Sequence, residues 1–389
     1  MRTTLALAIV AVAMPAGADP LRLRADALAT TASPAGLLVL EADGAMRPGL
    51  SAEAVVWMAG DRTPGEDVSG DVLVIAVHAR TKDGRVGAQF GRFVSTLGAL
   101  RPVHVDGATA RVRLPRRFDV EAVAGVPVLP GLDTARSWDW YAGGRVSRKL
   151  GDSGSVGIAY AERRDHGELA SEEVGVDAGA QFAKDADAGA RVAYDLANPG
   201  LAEVAISASH RHGPVRTELY GGYRAVSHLL PATSLFSVIG DVPAERVGVV
   251  VTWRAAPRLD VIADVAGRRA DHAYGEELVG RARLRLDDRG TSVLSGELHR
   301  TGGSADAWTG ARGAARIALA HQLAVSTELE LVIPDTDRGK GTVWPWGLVS
   351  TSWHHGDWEA AIAIEASASP EYRQRLDGLF QLARRWSVR

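Results

Sequence analysis

The sequence predicts an all-β fold, namely a transmembrane, antiparallel up-and-down β-barrel with an even number of strands, about 16–22. Within 276–286, Leu278 and Leu284 share one side of an extended chain, while Arg281 and Arg283 share the other. Successive side chains of a strand point to opposite faces, so this segment is a strand with one apolar and one charged face. A soluble β-sandwich could show such alternation too. Its recurrence along the whole chain, in segments of roughly ten residues between turns, favours the barrel.

Residues 1–18 have the features of a secretory signal peptide. Arg2 supplies a positive charge, the apolar stretch after it is too short to span a bilayer, and Ala16-Gly17-Ala18 is a small-residue cleavage site. We therefore expect export, with one β-barrel domain over 19–389. No other apolar run approaches the length of a membrane helix. Together these features point to an integral protein of the cell outer membrane in a Gram-negative organism.

Composition excludes several classes of site and partner. The chain has no cysteine, which excludes disulfides, thiolate metal sites and a catalytic thiol. The formal net charge of -3 at pH 7 argues against a nucleic-acid partner. Gly143-Gly144 and Gly302-Gly303 lack the strand-to-helix context of a phosphate-binding loop, so we expect no cofactor.

Alternation and turn chemistry assign the strands in order along the chain. They fall at 20–30, 35–43, 50–60, 69–81, 84–95, 103–114, 117–128, 138–149, 154–164, 170–183, 188–196, 201–211, 214–226, 246–255, 258–269, 276–286, 291–300, 308–320, 323–333, 343–354, 357–368 and 374–387. This gives about 22 strands, at the upper end of the expected range.

Short and long connections alternate between these strands, as expected when one end of a barrel has tight turns and the other has loops. Lys82-Asp83-Gly84, Ala256-Pro257 and His355-Gly356 are short turns, whereas 61–68 and 129–137 are longer connections. Tryptophan favours membrane interfaces and therefore strand ends. The assignment places Trp57, Trp138, Trp140, Trp308, Trp344 and Trp346 toward the outer rim, and Trp253, Trp353, Trp358 and Trp386 toward the inner rim.

The charged face is the main candidate for function, because in a barrel it lines the interior. The candidate pore-lining residues are Arg216, Glu218, Arg224, Arg254, Asp264, Arg268, Arg281, Arg283, Arg285, Glu297, Arg312, Arg316, Glu328 and Glu330. They predict a hydrated channel for polar solutes or secreted polysaccharide, in which Arg281, Arg283 and Arg285 form an anion-attracting ladder. The alternative for any single residue is that it pairs with a charge on the next strand and stiffens the wall.

Catalysis and metal binding have little support in the sequence. Ser207 and Ser209 share the interior face, while His210 and His212 lie on the opposite face, so this run assembles no serine–histidine pair. We expect no enzyme and no metal site. A closed structural or adhesion barrel remains the alternative to a channel, and an outer-membrane hydrolase is a more remote one.

The connection 227–245 is the longest and is unusually apolar for a solvent-exposed loop. It could fold into the lumen as a constriction, or it could contact a partner at the outer surface. The sequence does not decide between these alternatives.

One stretch resembles a known group of proteins. The segment 84–115, with Gly91-Arg92 on one strand and Asp106-Gly107 on the next, is similar to the early hairpin of porin-like and alginate- or exopolysaccharide-export-like outer-membrane barrels. The resemblance implies as partners the lipid bilayer, lipopolysaccharide, the barrel-assembly machinery and a polysaccharide or sugar solute. Strict alternation places Arg92 and Asp106 on the lipid-facing side, and bulges at the two glycines are an expected way to reset it.

Overall fold

The chain folds into one closed ring of antiparallel β-strands. The computed structural model describes residues 21–31, 35–61, 69–128, 139–225, 244–270, 273–303, 307–335, 343–368 and 375–388. No helix within these residues is long and apolar enough to span a bilayer.

The described residues contain 22 strands and one short helix. In chain order the strands are β1 (Leu21–Thr30), β2 (Ala35–Arg47), β3 (Leu50–Asp61), β4 (Ser69–Arg80), β5 (Val86–Ser95), β6 (Val103–Leu114), β7 (Phe118–Pro127), β8 (Trp140–Leu150), β9 (Gly154–Asp165), β10 (Glu168–Ala183), β11 (Ala186–Asp195), β12 (Gly200–His212), β13 (Val215–Arg224), β14 (Ala244–Ala256), β15 (Leu259–Ala270), β16 (Ala273–Arg285), β17 (Val293–Thr301), β18 (Trp308–Ala320), β19 (Leu323–Pro334), β20 (Trp344–His355), β21 (Trp358–Ser367) and β22 (Arg375–Val388). A 3-10 helix, Pro115–Arg117, connects β6 to β7.

Each strand pairs with its neighbours along the chain, and β1 closes the ring by pairing with β22 from Leu21↔Val388 to Thr30↔Leu379. The predicted fold class, the even number of strands and the count of about 22 strands are therefore confirmed. Closure leaves no strand edge unpaired, which removes the usual site of edge-to-edge aggregation. Strands about 4.8 Å apart and tilted by about 40° give a circular ring of this size a width of about 40 Å between opposite backbones.

The connections separate into two ends, as predicted. At one end, which we call the turn end, every connection is described and spans two to seven residues, from 356–357 to 286–292. At the other, which we call the loop end, connections range from the two-residue turn 166–167 to the long segment between β13 and β14. The described tryptophans are sorted between these ends as predicted. Trp57, Trp140, Trp308, Trp344 and Trp346 lie toward the loop end, and Trp253, Trp353, Trp358 and Trp386 toward the turn end, whereas Trp138 lies outside the described residues.

The two faces of the ring differ in crowding as well as in charge. On the apolar face, Leu298 and Leu376 expose 68% and 71% of their surface, whereas on the charged face Ala193 and Ala266 expose 0% and 3%. Side chains converge on the concave side of a closed sheet and spread apart on its convex side. The charged face is therefore the interior, and the apolar face is the exterior.

Candidate functional site

All of the predicted pore-lining residues lie on the interior face. The pairing register places them there by strict alternation: Arg254 is opposite Asp260, and Asp260 is opposite Arg283. Strand β13 carries Arg216, Glu218 and Arg224; β14 carries Arg254; β15 carries Asp264 and Arg268; β16 carries Arg281, Arg283 and Arg285; β17 carries Glu297; β18 carries Arg312 and Arg316; and β19 carries Glu328 and Glu330.

Most of these charges form ion pairs with neighbours on the interior face. The pairs are Arg216–Glu218 (3.5 Å), Arg224–Glu203 (3.9 Å), Arg246–Asp264 (3.2 Å), Arg281–Glu297 (2.7 Å) and Arg312–Glu328 (2.6 Å). For these residues the wall-stiffening alternative describes the geometry. Exposed pairs of this kind contribute only about 0–1 kcal/mol each to stability, so their main effect is to neutralise charge locally.

A smaller group is unpaired or shares one partner. Arg254 and Arg285 share the carboxylate of Asp260, at 3.6 and 3.9 Å. The side chains of four other interior residues form no hydrogen bond or ion pair with any described residue: Arg268, Arg283, Arg316 and Glu330. The predicted arginine ladder is therefore uneven: Arg281 is neutralised, Arg285 is partly neutralised, and Arg283 is not.

A seven-residue connection at the loop end narrows the interior from one side. Residues 96–102, which we call the constriction loop, join β5 to β6. Three of their apolar side chains are almost fully enclosed: Leu97, Ala99 and Leu100 expose 0%, 3% and 5%. The loop makes a turn in which the Leu100 amide donates to the Leu97 carbonyl at 3.1 Å. It belongs to a buried apolar cluster with Phe93, Val105 and residues of β7–β9.

Glycines on the neighbouring part of the wall, β8–β10, provide the space in which this loop packs. A Cβ atom added at Gly143 on β8 would lie 2.7 Å from Leu97 Cδ1, and one at Gly175 on β10 would lie 2.8 Å from Leu100 Cδ2. Both separations are shorter than real side chains allow. The loop therefore rests on the interior face of β8–β10 because two positions there carry no side chain.

One ion pair fixes the loop to the wall, and a second lies within the wall directly beneath it. Arg101 Nε lies 2.8 Å from Glu173 Oε1, and both side chains are nearly buried. Arg145 makes a bidentate contact with Asp177, at 3.1 and 2.6 Å, and Gly98 passes directly over it with φ of 58°. A Cβ at Gly98 would lie 2.3 Å from Asp177 Oδ1, so both space and backbone conformation require glycine.

Sequence reasoning did not identify this loop. From the sequence, the connection 227–245 was the candidate for an inward position. Residues 227–243 of this connection lie outside the described residues. A signal was nevertheless present: a connection between two strands carries Leu97, Ala99 and Leu100, and the facing strands carry glycines on interior positions. At seven residues, folded back on itself, the constriction loop can extend at most about 12 Å from the ends of its strands. It therefore covers only part of an opening about 40 Å wide.

The expected bulges at Gly91 and Gly107 are not formed in the β5–β6 pair. These glycines are directly opposite each other, and the register continues unshifted through Arg92↔Asp106, so both charges stay on the exterior face. They are neutralised instead. Arg92 contacts Asp106 through two hydrogen bonds of 2.7 and 2.8 Å, and Asp71 through a third of 2.9 Å. That expectation was wrong because mutual pairing, rather than a reset of alternation, accommodates the charges.

The serines and histidines do not converge. Ser209 donates to Asp187 at 2.6 Å on the interior face, whereas His210 points to the exterior, opposite Thr217. Within the described residues, no group of three or more His, Asp or Glu side chains is arranged to hold a metal ion.

Comparisons with known proteins agree on the fold. No family model matches the chain, and no curated protein matches it in sequence. Among solved structures, the translocation pore of the P pilus usher PapC is similar, with a TM-score of 0.53, 10% identity, and coverage of 96% of this chain and 100% of that chain. A PapC-PapD-PapK-PapG pilus tip assembly intermediate from E. coli has a TM-score of 0.54 and 10% identity, with coverage of 98% and 62%. The ferric enterobactin receptor PfeA of Pseudomonas aeruginosa has a TM-score of 0.64 and 9% identity, with coverage of 95% and 82%. These are outer-membrane β-barrels, and at such low identity the likeness establishes the fold alone.

Proposed function

We propose that the chain is an integral outer-membrane channel that passes polar solutes through its charged interior. The observation that carries the proposal is the sorting of the two faces. A largely apolar exterior suits lipid, and an interior lined by guanidinium and carboxylate groups suits water and hydrated solutes. A ring of this size is too wide for its own side chains to fill, since barrels of about eight strands already reach that limit.

The named neighbours support transport as the class of function. One is a translocation pore and another is a receptor for a ferric siderophore complex. For this chain we propose passive passage, with the constriction loop as the narrowing element and the fourteen pore-lining residues as the surface that solutes contact. A secreted polysaccharide is the specific solute proposed, because exchangeable hydrogen bonds to arginines and carboxylates suit hydroxyl-rich polymers.

Reconstitution in planar bilayers tests the channel. The wild type is compared with a variant in which residues 97–101 are replaced by a Gly-Ser segment of equal length. A matched control carries the same kind of replacement at 196–199, another loop-end connection. We expect discrete conductance steps from the wild type and the control, and larger steps from the constriction-loop variant. Silence from all three refolded proteins would overturn the channel and leave a closed structural barrel.

We also propose that residues 1–18 are removed on export. The positive charge, short apolar run and Ala16-Gly17-Ala18 support this processing. N-terminal sequencing of the protein purified from outer membranes should begin near Asp19. A mature chain that begins at Met1 would contradict the proposal.

A further inference from the structure

One part of the interior wall carries more positive charge than its neighbours neutralise. Near the turn end of β14–β18, four guanidinium groups, Arg254, Arg283, Arg285 and Arg316, face a single carboxylate, Asp260. Asp260 lies within 4 Å of the first and third of these arginines, and the other two have no partner among the described residues. We call these four arginines the cationic patch.

Three other carboxylates flank the cationic patch, and all are engaged. Glu297 pairs with Arg281, and Glu328 pairs with Arg312 at 2.6 Å. Asp287, in the turn that follows Arg285, accepts hydrogen bonds from the Thr291 and Ser292 amides. The excess charge of the cationic patch is therefore local. It does not continue along the strands toward the loop end, where positive and negative side chains alternate and neutralise one another.

Pairing register shows how the arginines of the cationic patch could act on one ligand. Arg285 is opposite Val293, and Val293 is opposite Arg316, so these two arginines flank a valine at the same level of the sheet. Arg283 is opposite Ser295 one step further along. Strands β16 and β18 are about 10 Å apart, which is within the combined reach of two arginine side chains.

The interior side chains between Arg283 and the strand that carries Arg316 are short. Ser295 and Ala314 are neighbours on the interior face, beside Arg283 and one step from Val293. They leave a shallow floor with guanidinium groups on both sides and one hydroxyl at its centre. Arg285 is held at one edge because its Nη2 donates to the Pro257 carbonyl at 2.8 Å, while its Nε is buried with no hydrogen-bond partner.

We infer that the cationic patch is a binding site for oxyanions, that is, for solutes carrying carboxylate or phosphate groups, and that Arg283 and Arg316 are its main contacts. This inference rests on the proposed channel and names the class of solute that pauses there. A guanidinium group binds such oxygens with two parallel, charge-assisted hydrogen bonds, and two groups on opposite sides of a short floor can hold a dianion.

The test uses single-channel recordings of the full-length protein with succinate and inorganic phosphate as probes. Wild type is compared with the double variant R283Q/R316Q and with K149Q. Lys149 is the control because it is also a cation on the interior face near the turn end and its side chain has no partner among the described residues, but it lies on β8, eight strands from β16. We expect both probes to reduce the wild-type current, and the half-blocking concentration to rise about tenfold in the double variant while changing little in K149Q.

A third variant, R283K/R316K, separates binding from the general electric field. It keeps both positive charges but loses the planar fork, so anion selectivity in a KCl gradient should persist while block by succinate weakens. If wild type conducts and its block is unchanged in R283Q/R316Q, the cationic patch is not an oxyanion site, although the channel stands. If wild type shows no conductance steps, the proposed function fails instead. Block by phosphate but not succinate would restrict the site to phosphate-bearing solutes.

Discussion

Substituting Gly175 with leucine is expected to displace the constriction loop from the barrel wall. A Cβ atom at this position would lie 2.8 Å from Leu100 Cδ2 and 3.1 Å from Ala99 Cβ. A small shift of the flexible Leu100 side chain could accommodate an alanine. It could not accommodate the three further carbons of a leucine, which occupy the space that Leu100 now fills.

The magnitude follows from what holds the loop in place. Burying one leucine side chain contributes about 1.5–3 kcal/mol, so Leu97 and Leu100 together contribute about 3–6 kcal/mol. Loss of the Leu100 site removes about half of this. Because the remaining anchors must also offset the entropy of an ordered loop, we expect the undocked position to become the dominant one.

Thiol labelling provides the assay, because the natural chain contains no cysteine. Ala99→Cys places a single thiol at an almost fully buried position of the loop. A membrane-impermeant maleimide should label this thiol slowly in the otherwise wild-type protein and rapidly when Gly175→Leu is added. Gly179→Leu is the control. It lies on the same face of the same strand, and its added Cβ would have no neighbour closer than 3.8 Å. Equal labelling rates in all three backgrounds would refute the docking of the loop on β10.

Three further outcomes follow from the ion pairs and turns. Glu173→Gln leaves a buried guanidinium of the constriction loop without its carboxylate, and should cost about 3–5 kcal/mol of stability in urea unfolding. Arg92→Leu should also destabilise the protein because it leaves Asp71 and Asp106 without the guanidinium that they share. The triple change R92L/D71N/D106N should recover most of the loss, and a triple variant less stable than R92L would contradict this. Hydrogen bonds from Thr291 and Ser292 hold the pKa of Asp287 below its usual value in the turn 286–292. The stabilisation from this carboxylate is therefore present above about pH 4 and lost as pH falls through the lowered pKa, so Asp287→Asn should flatten the acid limb of a stability-against-pH curve.

Alternation made the fold and the faces predictable from the sequence. Leu278 has an even number and Arg281 an odd one. Because alternate residues of a strand point to opposite faces, one lies on the exterior and the other on the interior. The pairing of charges needed the register as well: Arg281 is neutralised because Glu297 lies opposite it on the next strand, whereas Arg283 has Ser295 there. Alternation alone therefore predicted three free arginines in the ladder, although Arg281 is neutralised and Arg285 is partly neutralised.

The constriction loop depends on contacts between segments far apart in the chain. Leu97 rests beside Gly143, and Leu100 rests beside Gly175. No sequence pattern within either segment indicates that the two lie close together. A loop that turns inward and a loop that turns outward can have the same composition, and glycines within strands have several other uses. Only the three-dimensional arrangement shows that the missing side chains on β8 and β10 accommodate the leucines of the loop.

The width of the ring determines how the interior charges act. Charges separated by more than about 8 Å are largely screened at physiological ionic strength, whereas opposite walls of this barrel are about 40 Å apart. A solute near β16–β18 therefore responds to Arg283 and Arg316, and little to the neutral pairs beneath the constriction loop on β8–β10. The formal charge of the whole chain, -3, is for the same reason a poor guide to selectivity. In the proposed channel, local balance along each part of the wall sets which ions and solutes are retained, so the unpaired arginines favour anions in a protein that is negative overall.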